Sequence, residues 1–311
     1  MLIARPTLYG IWADTAEVAQ CHSALTLHSI VSKVHTSIPQ YCDYSITSKV
    51  VMHNHREEKA PFHGDWERRL LLALLWPILW LQSLNVRRVT PHMPEAAGSR
   101  HGLCGKGPLV RILVTGDSGA AGVGVSTQNH ALCGQLVSRL SQHHTVEWRL
   151  LAANGLDSPG LVKMLEEVPY RRFDVVVMSM GANDATCLCS PARWVEWQNQ
   201  LADVIQQRFT PDLLVHSAVP PMHTCMALPQ PLRWFMGRWA IAMNQLLAGL
   251  LFGQGKRTMH WHPASTTSTG LSKDGIHPNS DGYTLWADGL SQHILKNYLP
   301  IRLLSAQGSV I

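Results

Sequence analysis

The sequence is poor in charged side chains, which make up only 15% of its 311 residues. Lysine and arginine are scattered, and the net charge of +5 is small for this length. The chain therefore lacks the dense basic run that nucleic-acid binding requires, and we expect no nucleic-acid partner. Hydrophobic residues reach 46%, which excludes a largely disordered chain and predicts a sizeable buried core.

Cysteine pairs at metal-binding spacing are also lacking. The chain has 7 cysteines, an odd number, and no Cys-x-x-Cys pair. Cys187 and Cys189 are the nearest two, but they have no further ligands at metal-site spacing and are interpreted as buried thiols. The sequence predicts neither a metal ion nor a cofactor.

Residues 1–66 lack any sustained apolar periodicity, because proline, histidine, serine and threonine interrupt every apolar cluster. No apolar core of signal-peptide length follows Met1. We expect a poorly ordered N-terminal extension here. An alternative start of the natural protein is Met52.

The next segment is apolar throughout residues 70–81 and is bracketed by two pairs of arginines. This run is shorter than the ~20 residues of a transmembrane helix, and its length is typical of signal-peptide cores and interfacial helices. Its tryptophans and flanking arginines favour a membrane interface. We predict a membrane-anchor or signal-like helix over 67–88 and a membrane-associated or exported protein of the periplasm or cell envelope. A buried core helix in a cytoplasmic protein is the alternative.

Residues 89–108 are rich in proline and glycine and predict a linker, so that the main domain covers residues 109–311. In that domain short apolar runs alternate with capped helical segments. This alternation predicts a parallel sheet between two layers of helices, an α/β/α fold. The predicted strands are 112–115, 146–152, 173–178, 213–219 and 258–262, and the predicted helices are 128–141, 158–168, 190–209, 232–252 and 283–298.

Polar motifs follow several of the predicted strands, and in such folds sites gather at the carboxyl ends of the strands. Ser118 follows the first strand and can act as a nucleophile if a base lies beside it. His277 can be that base, because imidazole titrates near neutral pH. Asp274, three residues earlier, can orient the imidazole. The backbone N–H groups of Ser118 and Gly155 and the side-chain amide of Asn183 can donate hydrogen bonds to an oxyanion.

Each of these motifs alone is also typical of an ordinary turn, and it is their order across one domain that favours a hydrolytic site. Other glycine-loop interpretations fail on spacing. No lysine follows for a phosphate-binding loop, and Gly119-x-x-Gly122-x-Gly124 reverses the spacing of the dinucleotide fingerprint.

Taken together, the motifs resemble the four sequence blocks of the SGNH (GDSL-type) hydrolases, in particular a bacterial lipase/esterase-like branch. The first block reads Gly-Asp-Ser-Gly instead of the commoner Gly-Asp-Ser-Leu, which alters the pocket wall next to the serine. The matching segments are Gly116-Asp117-Ser118, Gly155, Gly181-x-Asn183-Asp184 and Asp274-x-x-His277-Pro278.

This resemblance implies a flavodoxin-like fold and a serine ester hydrolase that needs no metal or cofactor. It implies a catalytic triad of Ser118, Asp274 and His277, and an oxyanion hole of Ser118, Gly155 and Asn183. The expected substrate is a small-molecule ester. Carbohydrate O-deacetylation, thioester hydrolysis and a non-catalytic membrane-tethered binding module are the alternatives.

Overall fold

A computed structural model of the chain describes residues 65–91, 93–262 and 268–307. The predicted N-terminal extension lies outside these residues except for its last two, and the alternative start at Met52 lies outside them as well.

The described residues form a six-stranded sheet between helices, which confirms the predicted α/β/α class. The strands are β1 His101–Cys104, β2 Leu109–Gly116, β3 Thr145–Ala152, β4 Val175–Ser179, β5 Leu213–Ser217 and β6 Arg257–His260. Their order in the sheet is β1-β3-β2-β4-β5-β6. Strands β2 to β6 are parallel, and β1 joins antiparallel to β3. The five parallel strands, numbered among themselves, have the order 2-1-3-4-5 of flavodoxin-like folds.

Two apolar layers cover the sheet, because successive side chains of a strand point to opposite faces. The helices are α1 Asp65–Val89, α2 Ser118–Ala121, α3 Leu132–Leu140, α4 Ser158–Glu166, α5 Ala182–Thr186, α6 Pro191–Phe209, α7 Leu232–Leu251 and α8 Ser280–Gln307. Ile112 and Val114 of β2 pack with helices α3 and α8 on one face. Leu113 of the same strand packs with helices α4 and α6 on the other.

The predicted linker over 89–108 is wrong for residues 101–104, which form the edge strand β1. His101 pairs with Arg149 and Cys104 pairs with Val146 of β3. The side chains of β1 are mostly exposed, so the strand carries no apolar pattern in the sequence. The domain thus begins before residue 109.

The helix starts differ from the prediction where two capping residues stand side by side. The helix expected to be capped by Ser158 is capped by Asp157, whose carboxylate accepts a hydrogen bond from the Gly160 N–H. At α8 the cap is Asn279, whose side-chain oxygen accepts from the Gly282 N–H, and the helix begins three residues before the predicted start.

Helix α1 is longer than predicted, with 25 residues. One stripe, including Leu79 and Val86, is buried against α7 and its neighbours. Gln82 fixes the two helices in register, because its side chain donates to the Gln230 carbonyl and accepts from the Leu232 N–H. The opposite stripe is apolar but exposed, and by length and composition the stretch Arg69–Val86 is sufficient to cross a membrane.

Candidate active site

The first component of the site is the sharp turn between β2 and α2. Gly116 ends the strand at φ +147°, and a Cβ there would lie 2.1 Å from the Ser179 carbonyl oxygen. Glycine is therefore required at this point. The Ser179 carbonyl accepts the Asp117 N–H at 3.1 Å. Ser118 then opens α2 at the carboxyl end of the sheet, where the first N–H groups of a helix have no partner within the helix.

The structure brings Ser118, His277 and Asp274 into one hydrogen-bonded chain. The Ser118 Oγ lies 2.9 Å from the His277 Nε2. On the other side of the ring, the His277 Nδ1 lies 2.6 Å from an Asp274 Oδ2. Serine and histidine are 159 positions apart in sequence, so this contact is created by the fold. It is the arrangement in which an imidazole can take a proton from a hydroxyl.

Asp274 is held ionised in a turn of its own. Its Oδ1 accepts the N–H groups of Ile276 and His277 and the hydroxyl of Ser272, at 2.8–3.0 Å. Burial alone would raise the pKa of Asp274, but the hydrogen bonds from His277, Ile276 and Ser272 outweigh it and hold the pKa below the usual value. The role of Ser272 could not be predicted from the sequence, because a serine two residues before an aspartate is common in turns.

Asn183 and Gly155 lie on adjacent loops that are linked to each other. The Asn183 side-chain amide donates one hydrogen bond to the Leu156 carbonyl at 2.8 Å. A side-chain amide has two N–H donors, and the second one takes no part in that bond. Gly155 adopts φ +80°, where L side chains are strained. A second link is the buried carboxylate of Asp184, which accepts the N–H and the hydroxyl of Ser158. Burial raises the pKa of Asp184.

Asp117, beside the serine, is buried and caps α2 by accepting the Gly119 N–H at 3.0 Å. Burial raises the pKa of Asp117 to about 7, although this hydrogen bond and the nearby His277 lower it. The raised pKa favours the neutral acid, so Asp117 adds less negative charge next to Ser118 than an ordinary aspartate would.

Two cavities of about 240 and 490 Å³ meet at this site. The smaller one reaches Ser118, and the larger one reaches Gly155. Asn154 borders both, although nothing in its sequence context distinguishes it. Among the described residues there is no group of three histidine, cysteine or acidic side chains placed to hold a metal ion. Six residues line both cavities: Asn154, Asn183, Thr186, Met222, Ile276 and His277.

The site lies where flavodoxin-like sheets bind their ligands. The Ser118 loop follows β2 and the Asn183 loop follows β4, and these two strands are neighbours in the sheet. From β2 the chain continues to β3, towards one edge of the sheet, and from β4 it continues to β5, towards the other edge. Between them is the point at which the strand order reverses, so their loops diverge and leave a crevice.

Comparison with known proteins identifies the family of the chain. The GDSL-like Lipase/Acylhydrolase family matches residues 114–285, which is more than half of the chain. No match was found among curated proteins.

Several solved structures are similar to the chain at low sequence identity. A family 2 carbohydrate esterase from Corynascus thermopiles (Myceliophthora fergusii) with its carbohydrate-binding domain is 14% identical, with a TM-score of 0.50 over 66% of this chain and 68% of that one. A lipolytic G-D-S-L family protein from Veillonella parvula is 13% identical, with a TM-score of 0.47 over 58% and 94%. A carbohydrate acetylesterase from Sinorhizobium meliloti is 15% identical, with a TM-score of 0.46 over 60% and 96%. From the family match, this chain belongs to the GDSL-like lipase/acylhydrolase family of hydrolases.

Proposed function

We propose that the chain is a serine ester hydrolase that acts through a covalent acyl-enzyme. The observation that carries this proposal is the hydrogen-bonded chain from Ser118 Oγ through His277 to Asp274, with distances of 2.9 and 2.6 Å. It lies where two cavities meet, so an ester carbonyl can reach the hydroxyl.

In the first half-reaction, the Ser118 Oγ attacks the ester carbonyl carbon while the His277 Nε2 takes the hydroxyl proton. The carbonyl oxygen becomes an oxyanion, and the N–H groups of Ser118 and Gly155 and the free N–H of the Asn183 amide donate to it. His277 then gives its proton to the alkoxide, and the alcohol leaves. In the second half-reaction a water attacks the acyl-enzyme, with His277 again as base, and releases the carboxylic acid and the free serine.

The direct test is active-site labelling of the full-length protein with a fluorophosphonate probe. We expect one covalent adduct, located on Ser118 by peptide mass spectrometry, and none in the Ser118→Ala variant.

An unlabelled Ser118 in folded protein would contradict the proposal and would favour a non-catalytic binding module. If Ser118 is labelled and acetate is released from acetylated glycans but not from simple esters, the enzyme is a carbohydrate deacetylase. Cleavage of acyl thioesters alone would identify a thioesterase.

We also infer that the protein lies on a membrane surface through α1. The exposed stripe of this helix is unusually apolar, and the exposed Arg69 and Arg88 flank it with positive charge. Because the other stripe is packed on α7, the helix suits an in-plane position at the lipid interface. The large apolar side chains that face outward are Trp66, Leu70, Leu74, Trp76, Ile78, Trp80, Leu81 and Leu84.

Membrane binding is tested by co-sedimentation with vesicles of equimolar phosphatidylcholine and phosphatidylglycerol. Leu74 and Leu81 are 67% and 59% exposed, and changing both to glutamine should lower the partition coefficient at least tenfold, since each inserted leucine contributes about 1.5–3 kcal/mol. The control changes Leu103 and Phe252, apolar residues elsewhere that are at least as exposed, to glutamine. Equal binding of both double variants, or no sedimentation of the wild-type protein, would refute this role of α1.

A further inference from the structure

The larger cavity is bounded by a helix that the family match does not include. That match begins at residue 114, whereas Ser83 and Val86, near the end of α1, line the cavity. These two residues are three positions apart and so lie on the same side of the helix. A wall of the cavity is therefore an addition to the part of the domain that the family shares.

The rest of the lining is largely apolar. The α7 residues Leu232 and Met236 line it with Met93 and Val123, and the cavity continues to His277 and Asn183. Asp157 is the only charged group among its described lining residues if His277 is neutral. A lining of this kind favours a hydrocarbon group over an anionic or sugar group.

We propose that the larger cavity binds an unbranched hydrocarbon chain attached to the scissile ester, and that α1 determines how long a chain fits. This inference rests on the proposed ester hydrolysis and specifies its substrate class: esters with medium-length alkyl chains. Such chains belong either to the acyl part or to the alcohol part of an ester. The chemistry recognised is the same in both, and two substrate series distinguish them.

The test measures kcat/KM on full-length protein with p-nitrophenyl esters from acetate to decanoate, and with acetates of alcohols from ethanol to decanol. In one of the two series, kcat/KM of the wild-type protein should rise about fourfold for each methylene that enters the cavity. Ser83 is only partly exposed. For each protein, kcat/KM for the eight-carbon substrate is divided by kcat/KM for the two-carbon substrate of the same series. This ratio should be at least tenfold lower in Ser83→Trp than in the wild-type protein. Val86→Ala enlarges the cavity and should extend the preferred chain by one or two carbons.

The matched control is Asn85→Trp, which places the same ring two residues along α1 at an exposed position that does not line the cavity. It should keep the wild-type ratio. If the wild-type protein cleaves the acetate but Ser83→Trp and Val86→Ala leave the ratio unchanged in both series, the inference fails while the hydrolase assignment stands. If the wild-type protein cleaves no ester and Ser118 takes no fluorophosphonate, the failure lies in the proposed function instead.

Discussion

Replacing Ser118 with alanine is expected to lower kcat for p-nitrophenyl acetate by roughly 10⁴- to 10⁶-fold. The reason is that alanine removes the hydroxyl oxygen that lies 2.9 Å from the His277 Nε2 and that would form the acyl-enzyme. The fold should persist, because Ser118 is a small buried side chain and alanine keeps its helix position. Steady-state kinetics and a thermal melt of the same preparation measure the two effects.

Ser126→Ala is the matched control for this variant, because Ser126 is exposed on the same connection and lies outside both cavities. Its kinetics should equal those of the wild-type protein. Wild-type activity in a folded Ser118→Ala variant would refute the nucleophile, and loss of activity together with the thermal transition would show a structural role instead.

Replacing Asp274 with asparagine is expected to lower kcat by about 10⁴-fold. Asparagine has the same size, but its amide N–H cannot accept the His277 Nδ1–H that lies 2.6 Å from the Asp274 oxygen. The imidazole then takes the other tautomer, with its proton on the Nε2 that faces Ser118, and it can no longer act as base. Steady-state kinetics at neutral pH measure this loss.

The same substitution has a predictable effect on stability. The folded-state pKa of Asp274 is below the unfolded one, so its contribution to stability is present above the ordinary aspartate pKa of about 3.9 and is lost as the pH falls through the folded value. Asp274→Asn should therefore lower the free energy of unfolding at neutral pH, and the difference from the wild-type protein should shrink below about pH 4. Asp281→Asn, at an exposed position in the first turn of α8, is the control and should leave activity intact. A similar loss in both variants would contradict the assignment of Asp274 as the residue that orients His277.

The sheet could be predicted because its strands are buried on both faces. Every side chain of β4 and β5 is buried, and such strands read as uninterrupted apolar runs between turn residues. Strand β1 could not be found in this way, because it has one neighbour and mostly exposed side chains. The predicted cap of α4 is wrong for a different reason. The Ser158 hydroxyl is a good capping group, but it donates its hydrogen bond to Asp184, which is distant in sequence. Such a contact exists only in the folded chain.

The candidate active-site residues Ser118, Asp274 and His277 could be predicted from the sequence, because their motifs lie next to the ends of strands and helices that the sequence pattern predicts. Their convergence within hydrogen-bonding distance is seen only in the structure. The contribution of α1 to the larger cavity could not be predicted. The apolar run at residues 70–81 is equally compatible with an anchor, a signal and a core helix, and only the packing on α7 shows which stripe faces inward.

That packing has a practical consequence for any shortened form of the protein. A polypeptide begun at Leu109 would expose to water the face of α7 that α1 covers. Removal of β1 would also leave the outer edge of β3 without a pairing strand. Bare apolar faces and open strand edges both promote self-association. Such a fragment is expected to precipitate or aggregate, and a soluble preparation should retain the chain from Asp65 onward.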